Sequence, residues 1–118
     1  GAGVDANLAS IANEYELLLS SSSTLTFRIA TSGSSGWNKT VTVPLATSPT
    51  PPGGWHHAIF WITPGVEIGL QCDGGTADTE ALSSGQSAYT GGGVNFVLGA
   101  SATSTGVDVD EMALFIMP

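Results

Sequence analysis

Alternation of apolar and polar residues most narrows what this chain can fold into. In TLTFRI, Leu25, Phe27 and Ile29 share one face of an extended segment, and the residues between them share the other. Similar stretches recur along the chain, separated by Ser, Gly and Pro, which are typical turn residues. No segment gives a convincing helix, because glycine and β-branched residues dominate. The sequence therefore predicts an all-β protein, an antiparallel β-sandwich of seven or eight strands.

The predicted strands are apolar or alternating runs bounded by turn residues. They cover residues 15–19, 24–29, 37–43, 55–62, 65–72, 94–100 and 107–117, with a short eighth at 79–82. Inward-facing positions predict a core of Leu25, Phe27, Ile29, Ile59, Trp61, Ile68, Leu70, Phe96 and Leu98. Cys72 continues the alternation of its strand, which predicts a small buried hydrophobic residue.

Length and charge limit the classes of protein and partner. The 118 residues suit a single domain spanning 1–118. Ten acidic residues face only Arg28 and Lys39, a net charge of -8 that argues against nucleic acid. The longest apolar run, MALFIM, is far shorter than the roughly 18 residues of a spanning helix, so membrane insertion is not expected. A surface of Ser, Thr and Gly favours an extracellular or particle-surface location.

Neither the histidines nor the cysteine predicts a metal centre. His56 and His57 are adjacent on a predicted strand, so their side chains point to opposite faces and cannot both reach one ion. A histidine hydrogen-bonded at the start of a strand is the preferred interpretation. Cys72 is the only cysteine, which excludes a disulfide framework and a cysteine-built zinc site.

The segment from Gly54 to Gly74 resembles the central hairpin of concanavalin A-like, laminin G-type jelly rolls. The likeness rests on Trp-His-His after a proline- and glycine-bearing loop, a strand at 66–70, and Asp73-Gly74. Later segments, FVLGA at 96–100 and VDVDEMALFI at 107–116, follow in the family's order. The agreement covers about residues 55–116, and more loosely extends back to Tyr15. Only about fourteen residues precede Tyr15, so the resemblance implies a domain without its first strands, or one completed by another chain.

The resemblance implies a binding or adhesion module that recognises glycans or a partner protein. In that family calcium can bind in the loop that here carries Asp73, Asp78 and Glu80, and carboxylate oxygens are suitable calcium ligands. A solvated acidic loop is the simpler interpretation of these three residues. Trp37 follows a glycine- and serine-rich loop, the setting expected of a sugar-stacking tryptophan.

Two other classes of protein use this fold. One is a structural or decorating protein of a virus or phage particle, which acts by assembly, as a homo-oligomer or within a larger structure. The other is a glycoside hydrolase, whose Glu-x-Asp-x-x-Glu pattern is approached by Asp108, Asp110 and Glu111. Ala113 stands where that pattern requires glutamate, so no enzymatic activity is predicted. The sequon at Asn38 is best explained by chance in a chain this rich in Ser and Thr.

Overall fold

A computed structural model of the chain describes residues 6–11, 14–20, 24–45, 56–90 and 96–98. These residues form eight strands: β1 Ala6–Ile11, β2 Tyr15–Leu19, β3 Thr24–Ile29, β4 Lys39–Pro44, β5 Ala58–Thr63, β6 Glu67–Cys72, β7 Asp78–Ala81 and β8 Phe96–Leu98. The described ranges contain no helix long and apolar enough to cross a bilayer. The all-β prediction is confirmed, and β1 is a strand that the sequence did not predict. The predicted strand at 107–117 lies outside the described residues.

The strands form two antiparallel sheets. One sheet has the order β4-β3-β2-β1-β8, and the other has the order β5-β6-β7. The predicted hairpin of β2 and β3 is present, with Leu17 opposite Phe27. The second hairpin, β5 and β6, pairs Phe60 with Leu70 around the turn at residues 64–66.

The core lies between the two packed sheets. Alternation places Leu25, Phe27 and Ile29 on the inner face of β3, where all three are buried as predicted. They meet Ile68, Leu70 and Cys72 of β6, which are also buried as predicted. Phe27 is fully buried, and its ring centroid lies 4.9 Å from that of Phe60 on the opposite sheet. This contact joins the two layers at the centre of the core.

The prediction that Ile59 and Trp61 form the buried face of β5 is wrong. Ile59 is 46% exposed and Trp61 lies on the outer face, whereas Ala58, Phe60 and Ile62 pack against the core. Both faces of this strand are apolar, so alternation alone cannot choose between them. The pairing register with β6 determines which face of β5 is buried. Directly opposite residues point to the same side of a sheet, and Ile62 lies opposite the buried Ile68.

One smaller difference concerns the start of β4. The predicted strand from Trp37 begins instead at Lys39, so Trp37 belongs to the preceding loop. Phe96 and Leu98 lie in β8, which pairs with β1, but their side chains are outside the described part of the chain.

Candidate functional site

The loop between β3 and β4 carries Trp37 and is tied down by its own polar side chains. Asn38 accepts a hydrogen bond at Oδ1 from the Thr31 N–H at 3.0 Å, and its Nδ2 donates to Thr31 Oγ1 at 2.8 Å. The Ser32 N–H donates to Ser35 Oγ, which in turn donates to the Ser32 carbonyl. Short polar side chains that bond to nearby backbone in this way stabilise turns. An exposed, glycine-rich loop is thereby given a defined shape.

The indole of Trp37 is oriented by a charged pair on the neighbouring strands. The Arg28 guanidinium lies over the Trp37 ring, 5.1 Å from its centroid, and forms a salt bridge with Glu16. Such a cation–π contact contributes about 0.5–1 kcal/mol at an exposed site. Trp37 is half-buried, so part of the indole remains accessible to solvent.

A shallow cavity of about 140 Å³ opens beside this tryptophan. Its lining consists of small or polar residues and one aromatic: Ala30, Ser32, Gly33, Ser34, Gly36 and Trp37. Tyr89 supports the loop, because its ring approaches so closely that a Cβ on Gly33 would lie 3.0 Å from it. The cavity is well below the roughly 300–1,000 Å³ of enclosed small-molecule pockets. The cavity can therefore contact one part of a ligand but is too small to enclose a whole ligand.

Asp78 and Glu80, two of the three candidate calcium ligands, accept hydrogen bonds from backbone N–H groups of β4. The Thr40 N–H donates to Glu80 Oε2 at 2.7 Å, and the Thr42 N–H donates to Asp78 Oδ2 at 2.9 Å. Pro44, the next outward-facing residue of β4, has no N–H. Among the described strands β4 is the last of its sheet, so these β7 carboxylates occupy N–H groups that could otherwise pair with another chain.

Removing both carboxylates is expected to loosen this edge. Hydrogen bonds of this kind contribute about 0.5–1.5 kcal/mol each, so a double Asp78→Ala, Glu80→Ala variant should lose about 1–3 kcal/mol of unfolding free energy. Amide hydrogen exchange should accelerate at Thr40 and Thr42 in particular. Asp78→Asn keeps an acceptor oxygen and should lose less than Asp78→Ala. Unchanged exchange at both threonines would contradict the edge-capping role.

Asp73, the third candidate calcium ligand, lies apart from the other two. Its carboxylate contacts His56 Nδ1 at 2.6 Å and accepts the His57 N–H at 2.7 Å. Among the described residues, the group of acidic, histidine and cysteine side chains with ligand atoms within 4.8 Å of one another is His56, Cys72 and Asp73. The structure therefore does not bring Asp73 together with Asp78 and Glu80.

No local sequence pattern predicts that His56 lies close to Cys72. The alternation of β6 predicts only that Cys72 is buried, which is confirmed, and a single cysteine excludes only a zinc site built from several cysteines. The sequence feature that could have predicted this proximity is the short turn after Thr63. It sets a register with Ala58 opposite Cys72, which brings the start of β5 close to the end of β6. The two histidines precede β5, which begins at Ala58 and not at the predicted residue 55. Their side chains diverge as predicted: the His56 ring belongs to this group, and His57 is exposed.

The hydrolase-like residues Asp108, Asp110 and Glu111 lie outside the described residues. The sequence matches no family model, and neither a curated protein nor a solved structure is significantly similar to it. The class that the described residues define is an all-β protein of two packed antiparallel sheets. Function must be argued from the geometry of its sites.

Proposed function

We propose that this chain is a non-catalytic binding module that contacts glycans through the Trp37 loop, on an extracellular or particle surface. The observation that carries the proposal is the shallow polar cavity beside a half-buried, oriented tryptophan. The finer fold proposed is a laminin G-type jelly roll, supported by the resemblance of residues 54–74 and by the β5–β6 hairpin formed there.

The chemistry of the loop suits a sugar ring. A pyranose presents an apolar face of C–H groups to an aromatic ring and hydroxyl groups at its edge. Trp37 supplies the aromatic surface, and the hydroxyl-bearing residues Ser32 and Ser34 line the same cavity. Arg28 lies over one side of the indole, so the ligand would use the part of the ring that faces the cavity.

The internal hydrogen bonds of the loop also favour binding. Ordering a flexible loop costs free energy on association, and a loop already held by Asn38 and Ser35 avoids much of that cost. The net charge of -8 disfavours anionic glycans, because like charges repel over the surface. The proposed ligand is therefore a neutral glycan.

A glycan array with the full chain, followed by titration of the best neutral ligand, tests the proposal. Dense immobilisation is needed because one shallow site gives weak affinity that multivalency amplifies. Trp37→Ala should weaken binding by about tenfold or more, equivalent to about 1.4 kcal/mol. Trp61→Ala is the matched control, since Trp61 is also half-buried but lies on the other sheet. Binding that survives Trp37→Ala, or an array without neutral glycan binding, would reject this site.

Assembly on a particle is a second candidate function, favoured by exposed apolar residues on β5 and in the turn that follows it. Ile59 and Val66 are exposed apolar residues, and among the described strands β5 pairs only with β6. An unprotected edge with apolar neighbours favours association. Analytical ultracentrifugation separates the candidates: concentration-dependent oligomers that Ile59→Lys disrupts would support assembly, and a monomer throughout would reject it.

A further inference from the structure

We propose that His56, Cys72 and Asp73 form a binding site for a zinc(II) ion at the end of the β5–β6 hairpin. Three different donor atoms converge there. Asp73 Oδ2 lies 2.6 Å from His56 Nδ1 and 3.2 Å from Cys72 Sγ, and the sulfur lies 3.8 Å from the imidazole nitrogen. This site is separate from the Trp37 loop and does not depend on the proposed glycan binding.

The hairpin fixes all three side chains. Ala58 lies opposite Cys72, which puts His56 beside the residues that follow β6. The Asp73 N–H donates to the His57 carbonyl at 2.7 Å, and the Gly75 N–H donates to the Cys72 carbonyl at 2.9 Å. Asp73 and Gly74 both have positive φ, 53° and 71°, as a type I′ turn requires. Two main-chain bonds and a turn therefore hold the residues that carry the donors.

The carboxylate of Asp73 is oriented before any ion binds. Its Oδ1 accepts the His57 N–H at 2.7 Å, which directs Oδ2 toward His56 and Cys72. Hydrogen bonds that hold a ligating carboxylate in this way are typical of metal sites and tune their affinity. This bond comes from the main chain at position 57, and the exposed His57 side chain makes no contact with the proposed ligands.

The separations are close to those of a tetrahedral zinc site. At the tetrahedral angle, zinc–ligand bonds of about 2.0–2.3 Å place neighbouring ligand atoms about 3.3–3.8 Å apart. The two distances to sulfur, 3.2 and 3.8 Å, lie close to the two ends of that range. Of the three distances, only that between His56 Nδ1 and Asp73 Oδ2 must increase substantially when zinc binds, by somewhat less than about 1 Å for the same bond lengths. Three protein ligands leave the fourth position for water.

The donor set selects zinc over calcium. Calcium binds oxygen ligands, usually six to eight of them, whereas thiolate and imidazole suit zinc. A thiolate and a carboxylate together carry two negative charges, which balance the charge of the ion. Cys72 is 1% exposed, and the side chains of His56 and Asp73 are 13% and 9% exposed, so the site is largely shielded from water.

Binding changes the protonation of the ligands in a defined way. The Cys72 thiol, which donates to Asp73, loses its proton to solvent and binds as thiolate. His56 binds through Nδ1 as neutral imidazole with its proton on Nε2. A second proton is released when His56 is imidazolium beforehand. No electron transfer is involved.

Titration of the full chain with cobalt(II) tests the site, because cobalt reports sulfur ligation by a near-ultraviolet charge-transfer band. We expect that band to saturate at about one ion per chain and to disappear on addition of zinc, which binds more tightly. Calcium should not displace cobalt. Absence of the band, or displacement by calcium, would overturn the proposal.

Neighbouring histidines provide a matched pair of variants. His56→Gln should weaken zinc binding by more than tenfold, since loss of even an outer partner typically costs about 10–100-fold. His57→Gln keeps the backbone N–H and should bind as the unaltered chain does. Equal loss in the two variants would overturn the site. Cys72→Ala should abolish the charge-transfer band, and the His56 and His57 pair decides the question even if this buried variant does not fold.

Discussion

Replacing Phe27 by alanine is expected to lower the free energy of unfolding by about 3–5 kcal/mol, the largest effect predicted for this chain. Phe27 is completely buried at the centre of β3. Its ring lies 4.9 Å from Phe60 of the second sheet and 6.4 Å from Tyr15 of β2, measured between centroids. The substitution removes a large apolar side chain where two layers meet and leaves a cavity that β-strands close only partly.

Urea denaturation followed by tryptophan fluorescence measures this loss. Ile59→Ala is the informative control, because Ile59 has the same alternation-based prediction of burial but is 46% exposed. Its replacement should cost less than about 1 kcal/mol, since most of the side chain is already in water. Comparable losses in the two variants would mean that β5 presents its other face to the core.

The second large effect is expected at Gly69, where β6 lies beneath the indole of Trp61. A Cβ at this position would overlap the indole ring, so Gly69→Ala must displace Trp61. The displaced ring also loses the hydrogen bond from Nε1 to Glu67 Oε2 at 2.9 Å. Overpacking of this kind typically costs about 1–3 kcal/mol.

A double-mutant cycle with Trp61→Ala isolates the steric cause. Once the indole is removed, Gly69→Ala should become neutral or stabilising by up to about 1 kcal/mol, because alanine loses less backbone entropy than glycine in a strand. The near-ultraviolet circular dichroism of Gly69→Ala should also change, as Trp61 leaves its fixed orientation. If Gly69→Ala lowers the free energy of unfolding equally with and without the Trp61 indole, the steric clash is not the cause.

The three candidate calcium ligands show that closeness in sequence does not by itself predict a metal site. Asp73, Asp78 and Glu80 are close in sequence, which is why they resemble a calcium loop. The turn at Asp73 and Gly74 directs Asp73 toward His56, while Asp78 and Glu80 reach across to β4. Proximity along the chain did not produce convergence in space, because β7 is extended and faces another strand.

Local sequence was sufficient to predict the buried face of a strand wherever only one of its faces is apolar. Alternation determined the all-β class, the inner face of β3 and the burial of Ile68, Leu70 and Cys72, because period-two patterns map directly onto the two faces of a sheet. Tertiary structure decided the rest. Both faces of β5 are apolar, so only its pairing with β6 selected Phe60 over Ile59 and Trp61. The same pairing brought His56 to Cys72 across 16 positions of sequence, a contact that depends on register and not on any local motif.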